Sequence, residues 1–186
     1  MSEAFEHLPV MAREVVECFA QVPAGLVVDC TIGGGGHAAL ILDARPDLTV
    51  LGIDRDIEAV AAARRHLARF GSRVAVEQGG FEEVADIVGR HVSGGGSAAV
   101  GRGRAIVGFL FDLGVSSPQL DRPERGFSYR FEAPLDMRMD SRQSLTAADV
   151  VNTYDERDLA DVIARYGEER FARRIAAEIK IGRVHV

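Results

Sequence analysis

The sequence predicts an α/β fold in which parallel strands alternate with helices. Three observations predict it. The runs Leu26–Val28, Val50–Ile53, Val74–Val76 and Ala105–Phe111 are continuously apolar rather than alternating, as strands buried on both faces are. Segments with apolar residues at helical spacing separate them. A glycine run, Gly33 to Gly36, follows the first strand and opens a helix.

Taken in order, His7 to Val22 places Leu8, Val10, Met11, Val15, Val16 and Phe19 at helical spacing, a helix packed ahead of the sheet. His7 reads as an exposed or lightly packed imidazole. Pro23-Ala24-Gly25 turns the chain into the first strand, and Asp29 ends its apolar run. Gly33 to Gly36 lack Cβ atoms, so the backbone takes left-handed angles and a ligand can approach it. Ala38 to Ala44 continue as a helix whose free N–H groups point back at that turn.

This is the first unit of a nucleotide-binding sheet, and its second element is present. The strand Val50–Ile53 ends in Asp54, roughly 20 residues after Gly33, the offset at which an acid reaches ribose hydroxyls. Gly33, Gly35 and Ala38 formally satisfy the dinucleotide pattern, so a nicotinamide cofactor is one reading. Asp29, however, stands at the strand tip where a pyrophosphate would sit, and like charges repel. S-adenosylmethionine carries no phosphate, and its ammonium group is attracted to an acid there. The charge pattern therefore favours the methyl donor, although Asp29 taken alone is equally compatible with a simple loop cap.

Ile57 to Phe70 reads as an amphipathic crossover helix, with Arg64, Arg65 and Arg69 on its solvated face. Val74–Val76 forms the third strand, and Phe81 to Val92 the next helix. Phe81, at the same carboxyl edge, either stacks on an adenine ring or packs inward; its position leaves both open. Ser93 to Arg104 is a glycine-rich surface loop without a phosphate-loop ending. The fourth strand, Ala105–Phe111, ends in Asp112, and Ser116, Ser117, Pro118 and Gln119 follow with groups suited to holding an exocyclic amine. Asp121 to Arg142 is a long irregular loop of charged and aromatic residues. Its Arg125, Phe127, Tyr129, Arg130 and Phe131 are suited to clamping an unpaired nucleotide. Asp136 and Asp140 suggest a metal pair only superficially; ion pairs with Arg138 and Arg142 account for them better, and no metal site is expected. The remainder is helical, with Thr146–Asp149 and Asp155–Asp158 as caps and Tyr166-Gly167 as a stop. A last helix, Glu168 to Ile181, presents Phe171, Ile175, Ala176 and Ile179 on one face and Arg170, Arg173 and Arg174 largely off it.

Composition sets the outer bounds. With 186 residues, 47% of them hydrophobic, the chain suffices for one ordinary core. No apolar run approaches a membrane span and no signal pattern opens the chain, so a cytoplasmic location is expected. Cys18 and Cys30 read as reduced, buried thiols. A net charge of −6 argues against coating nucleic acid along the whole surface, while leaving room for local recognition.

Thr31 to His37, Asp54 within Gly-Ile-Asp-Arg-Asp, and Asp112-Leu-Gly-Val-Ser-Ser-Pro-Gln-Leu together resemble the small-subunit ribosomal RNA cytosine-N4 methyltransferases. So do Glu124-Arg-Gly-Phe-Ser, Pro134-Leu-Asp-Met-Arg-Met-Asp140 and Tyr166-Gly-Glu-Glu-Arg-Phe171, and the likeness runs from His7 to about Ile179. The resemblance implies a Rossmann-like methyltransferase sheet, of which this chain holds the first four parallel strands, with part of an inserted helical domain. It divides the chain into a cofactor-binding domain, 1–120, and the start of a substrate-recognition domain, 121–186. It also implies methylation of a cytidine N4 in the decoding region, with ribosomal RNA or the small ribosomal subunit as partner. Carried over by motif, Gly35, Gly36 and His37 bind S-adenosylmethionine, Asp54 holds the ribose, Phe81 lies beside the adenine, and Asp112 and Gln119 complete the site. No catalytic base is identified. Cytosine N4 is a poor nucleophile because its lone pair is delocalised, so catalysis rests on aligning the amine with the methyl carbon.

Two departures stand out. The Ser93–Arg104 loop is longer than the pattern, and Lys180 to Val186 leaves the pattern altogether. The expectation is a truncated or frameshifted member whose fourth strand has an unpaired edge. Two other readings compete: a remnant that binds the cofactor without transferring methyl groups, and a nicotinamide-dependent oxidoreductase.

Overall fold

The computed structural model describes residues 9–94, 100–130 and 132–183, without the side chains of Ser117, Pro118 and Arg183. Two compact units meet at the Gly114–Val115 peptide, where the sequence reading sets its boundary after residue 120.

In the first unit, four strands, β1 (Leu26–Asp29), β2 (Thr49–Asp54), β3 (Val74–Gln78) and β4 (Ile106–Leu110), form one parallel sheet in the order β3-β2-β1-β4. The helices are α1 (Ala12–Ala20), α2 (Gly36–Ala44), α3 (Ile57–His66) and α4 (Val84–Ser93). Because strand side chains alternate, the sheet feeds two cores. Val27, Val50 and Val76 face one, with Phe19, Ile41, Leu42, Val60 and Leu67 from the helices. Leu26, Val28, Leu51 and Ile53 face the other, with Ile87 and Val88 of α4. Strands buried on both faces require the uninterrupted apolar runs of the sequence.

Several expected boundaries shift. The crossover helix stops at His66 rather than reaching Phe70, and a 3₁₀ segment, Ala68–Arg73, carries the chain to β3 with Gly71 at φ 55°. Phe81–Glu83 is likewise a 3₁₀ turn ahead of α4, its Gly80 N–H donating to Glu83 Oε2 at 2.9 Å. The glycine-rich loop is not wholly a surface feature. Val100 is buried in the second core, where a single apolar side chain among small residues gave no periodic signal; residues 95–99, with His7 and Phe131, lie outside the described residues. Cys30 is buried as expected, but Cys18 is exposed on α1. β4 stands last in the strand order, and its Ile106 and Phe109, with Phe111 just beyond it, are exposed.

The second unit contains α5 (Ser117–Asp121), a 3₁₀ turn at Pro123–Arg125, and α6 (Ala147–Thr153), α7 (Glu156–Gly167) and α8 (Ala172–Arg183). The Thr146–Asp149 capping box forms, and Asp155 accepts from the Asp158 N–H. The long loop is held by its own charges. Arg138 forks onto Asp136 at 2.7 and 2.8 Å, Arg142 grips Asp140, and Arg125 donates to the Arg138 carbonyl. Arg138 holds the Asp136 carboxyl down at about 2. The small core joins Leu159, Ala160 and Ala176. The expected face of the last helix holds for Ala176, which is buried, and Ile179, which packs against this core, but Phe171 and Ile175 are exposed at 53% and 37% and Ala172 takes the buried place. Alanines one turn apart let α8 approach α7 closely, and larger neighbours are displaced to the flank.

Candidate functional site at the carboxyl edge of the sheet

The chain leaves β1 through Asp29, Cys30 and Thr31, and Ile32 N–H donates to the Ile53 carbonyl at 3.0 Å, tying the turn to β2. The glycine turn then closes with Gly35 N–H on the Ile32 carbonyl at 2.7 Å. Gly33 and Gly35 have φ of 51° and 85°, and a Cβ on Gly35 would stand 3.0 Å from the Leu67 side chain. Glycine is therefore required there by both angle and space. Gly35 caps α2 without a side-chain acceptor, so the first N–H groups of the helix open onto the turn.

Asp54 organises this turn from the tip of β2. Its Oδ2 accepts from Gly33 N–H at 2.9 Å, and its Oδ1 from Asp56 N–H at 2.9 Å. Burial nonetheless raises its pKa above the ordinary value. From the tip of β4, Asp112 N–H donates to Thr31 Oγ1 at 2.7 Å, and its half-exposed carboxylate lies 4.0 Å from His37 Nδ1. His37 is buried, and its Nε2 lies 2.8 Å from the Val10 carbonyl. A carbonyl only accepts, so Nε2 carries the proton and Nδ1 faces Asp112.

Asp29 departs from its expected place. It is 2% exposed, lying beneath the turn rather than open to it, and its Oδ1 accepts from Thr31 N–H at 3.1 Å. Desolvation pushes its carboxyl up to about 7, with repulsion from Asp54 and Asp112 adding to it. Asp29 is therefore not the free strand-tip anion its position in the sequence suggests. The negative character of the edge belongs to three carboxyls sharing a field, with Asp112 the most exposed of them. The same burial, with Asp29 adjacent, raises the Cys30 thiol to about 11 and leaves it inert.

Phe81 is 45% exposed and so does not take the inward position. Its ring meets Phe111 edge-on at 5.7 Å, and the Arg55 guanidinium lies 5.0 Å from its centroid. Phe111 in turn stacks on Phe109 at 6.5 Å. Sequence reasoning missed Phe111 and Arg55. Phe111 reads as the last residue of an apolar strand, and Arg55 stands only as part of the Gly-Ile-Asp-Arg-Asp run; β3 and β4 lie at opposite edges of the sheet, and the two rings meet only through the segments beyond the strand tips.

Of the expected cofactor residues, Gly35, Gly36, His37, Asp54, Phe81 and Asp112 all lie at this edge of the first unit. Gln119 belongs to the second unit, where its Oε1 accepts from Ser116 N–H at 3.0 Å and closes the cap of α5.

The MraW methylase family pattern matches residues 4–185. Ribosomal RNA small subunit methyltransferase H of Mycobacterium tuberculosis (strain ATCC 25618 / H37Rv) is 50% identical over 183 residues, covering 94% of this chain and 44% of the relative. The protein of the same name from Acaryochloris marina is 49% identical over 95% of this chain and 54% of its own length. That from Symbiobacterium thermophilum is 50% identical over 93% and 52% respectively. The chain thus spans about half the length of the curated relatives it matches. With the match running over nearly all of its residues, the chain belongs to the MraW methylase family.

Proposed function

We propose that this chain binds S-adenosylmethionine at the carboxyl edge of its sheet and supplies the methyl-donor half of a ribosomal RNA cytosine-N4 methyltransferase. The observation that carries the reading is the Asp54 carboxylate, which pins the glycine turn by the Gly33 amide at the point where a strand opens into a helix. A cation suits this edge better than a pyrophosphate does, because Asp29, Asp54 and Asp112 already repel one another. Gly35 and Gly36 give the donor close approach to backbone, Asp54 faces its ribose, and Phe81 with Arg55 and Phe111 flanks its adenine. His37, anchored through Val10, stands 4.0 Å from Asp112. Gln119 is assigned by resemblance. The cofactor supplies a methyl group activated on a sulfonium; the chain's own contribution is orientation of a weak amine nucleophile.

Calorimetric titration with S-adenosylhomocysteine, run beside NADH, tests the cofactor. Saturable binding of the former alone supports the proposal, and binding of NADH alone would replace it with the oxidoreductase reading. A second reading, a cofactor binder without transfer, draws on the exposed apolar edge of β4. Methyl transfer from labelled S-adenosylmethionine to small ribosomal subunits separates the two.

A further inference from the structure

Asp29 lies beneath the glycine turn, out of direct reach of a ligand, yet desolvation and the charges of Asp54 and Asp112 push its carboxyl up to about 7. A buried group that titrates near neutrality acts on the edge above it only through its neighbours. Thr31 is the neighbour that joins it to the tip of β4. β1 and β4 stay paired to their ends, where Cys30 N–H donates to the Leu110 carbonyl at 2.9 Å. The next rung is made by a side chain: Asp112 N–H donates to Thr31 Oγ1 at 2.7 Å. Asp29 Oδ1 accepts from Thr31 N–H at 3.1 Å, and the Thr31 hydroxyl also hydrogen-bonds this carboxyl. One hydroxyl thus stands between the buried Asp29 carboxyl and the backbone of Asp112.

A hydroxyl has one proton to give and lone pairs with which to accept, whereas an ionised carboxylate only accepts. With Asp29 ionised, the Thr31 proton is drawn to Asp29 and its lone pairs are left for Asp112 N–H, each bond polarising the other. With Asp29 protonated, the carboxyl can itself donate to Thr31 Oγ1 and compete with Asp112 N–H for it. The tie at the tip of β4 is then weaker.

We propose that Thr31 is a positioning residue whose hydroxyl transmits the ionisation state of Asp29 to Asp112, and so sets how firmly the tip of β4 is held beside the glycine turn. Its consequence for the methyl donor rests on the cofactor reading above. Other titratable groups face this network: Asp54 at the tip of β2, Cys30 next to Asp29, and His37 of α2, whose Nδ1 lies 4.0 Å from Asp112 Oδ2. These act on Asp29 and Asp112 through charge, whereas the relay requires the hydroxyl itself. A merely structural role for Thr31 would be met by any side chain of the same shape.

The test follows the backbone amide signals of the full ¹⁵N-labelled chain from about pH 5.5 to about pH 8.5, in the parent, Thr31→Val, Thr31→Ser and Asp29→Asn. Thr31→Val keeps the shape and loses the hydroxyl; Thr31→Ser keeps the hydroxyl. In the parent and in Thr31→Ser, the Asp112 amide proton should move downfield as Asp29 ionises. The Asp29 share of that movement is the part that Asp29→Asn removes, and His37 accounts for any remainder. Thr31→Val should lose most of this share while its Cys30 amide still reports the titration; Thr31→Ala takes its place if Thr31→Val does not fold. An Asp112 response retained in the folded variant without the hydroxyl would overturn the proposal, as would its loss in Thr31→Ser or its persistence unchanged in Asp29→Asn. S-adenosylhomocysteine titration of the same proteins at about pH 8 adds the functional readout. Thr31→Val should bind roughly three- to tenfold more weakly and Thr31→Ser like the parent; equal binding by Thr31→Val would remove the positioning role. Cofactor binding by a parent whose Asp112 amide ignores Asp29 sinks the relay alone. An intact relay in a chain that never binds the cofactor sinks the cofactor reading alone.

Discussion

Replacing Asp29 with Asn isolates the electrostatics of the strand edge. The Asp29 carboxyl is 2% exposed, and burial moves it from 3.8 to about 7. A carboxyl whose pKa is raised on folding opposes folding once it ionises. The penalty is absent below the unfolded value, grows as pH climbs, and is complete above the folded one. A displacement of about 3 units bounds it at about 4 kcal/mol in alkali. Between about pH 5 and about pH 8 the same two values give a change of about 3 kcal/mol, which relaxation around the charge reduces. Asn keeps an oxygen able to accept from Thr31 N–H and cannot ionise. In urea unfolding followed by circular dichroism, the variant should therefore gain on the parent chain across that range, by up to about 3 kcal/mol. Parallel stability profiles for the two proteins would refute the reasoning. For the cofactor the sign reverses, since an ammonium group at this edge favours the ionised form of the buried carboxyl through the shared field. Parental affinity for S-adenosylhomocysteine should rise toward pH 7 with proton release, and the variant should show neither effect.

Other positions give further tests. Asp54→Asn leaves one of two backbone amides without its acceptor. It should cost about 1–2 kcal/mol in thermal unfolding and weaken S-adenosylhomocysteine at least roughly tenfold in calorimetry. Gly126→Ala should cost more than about 1 kcal/mol, because φ is 71° there and a Cβ would lie 2.5 Å from the Pro134 carbonyl oxygen. Limited proteolysis should then cut first within residues 121–142. Arg45→Met removes donors to the Phe19, Ala20 and Val22 carbonyls. It should lower the urea midpoint and speed amide exchange at the end of α1 while leaving cofactor affinity unchanged.

β1 and β2 were legible because a parallel strand buried on both faces leaves no room for polar alternation, and the same apolar runs marked β3 and β4, although β4 leaves Ile106 and Phe109 exposed. The glycine turn and Asp54 were legible because their spacing follows from one βαβ unit. Failures came where a single contact decides. Val100 anchors a loop that composition describes as solvent-exposed, and the helix after Asp56 ends short of Phe70. Asp29 reads as a strand-tip charge, yet its exposure depends on how Thr31 folds over it. Ala176 and Ile179 of α8 face the core as expected, but Ala172, which carries little hydrophobic signal, takes the other buried place and leaves Phe171 outside. Phe111 and Arg55 gave no local sign, since their meeting with Phe81 depends on segments that follow three different strands.

The most direct test of the central claim is amide chemical-shift mapping of the ¹⁵N-labelled chain during titration with S-adenosylhomocysteine. The account predicts saturable shifts concentrated at Gly33, Gly35, Gly36, His37, Asp54, Phe81 and Asp112, with the rest of the first unit little changed. A folded spectrum that does not respond, or shifts that cluster away from the carboxyl edge of the sheet, would contradict it.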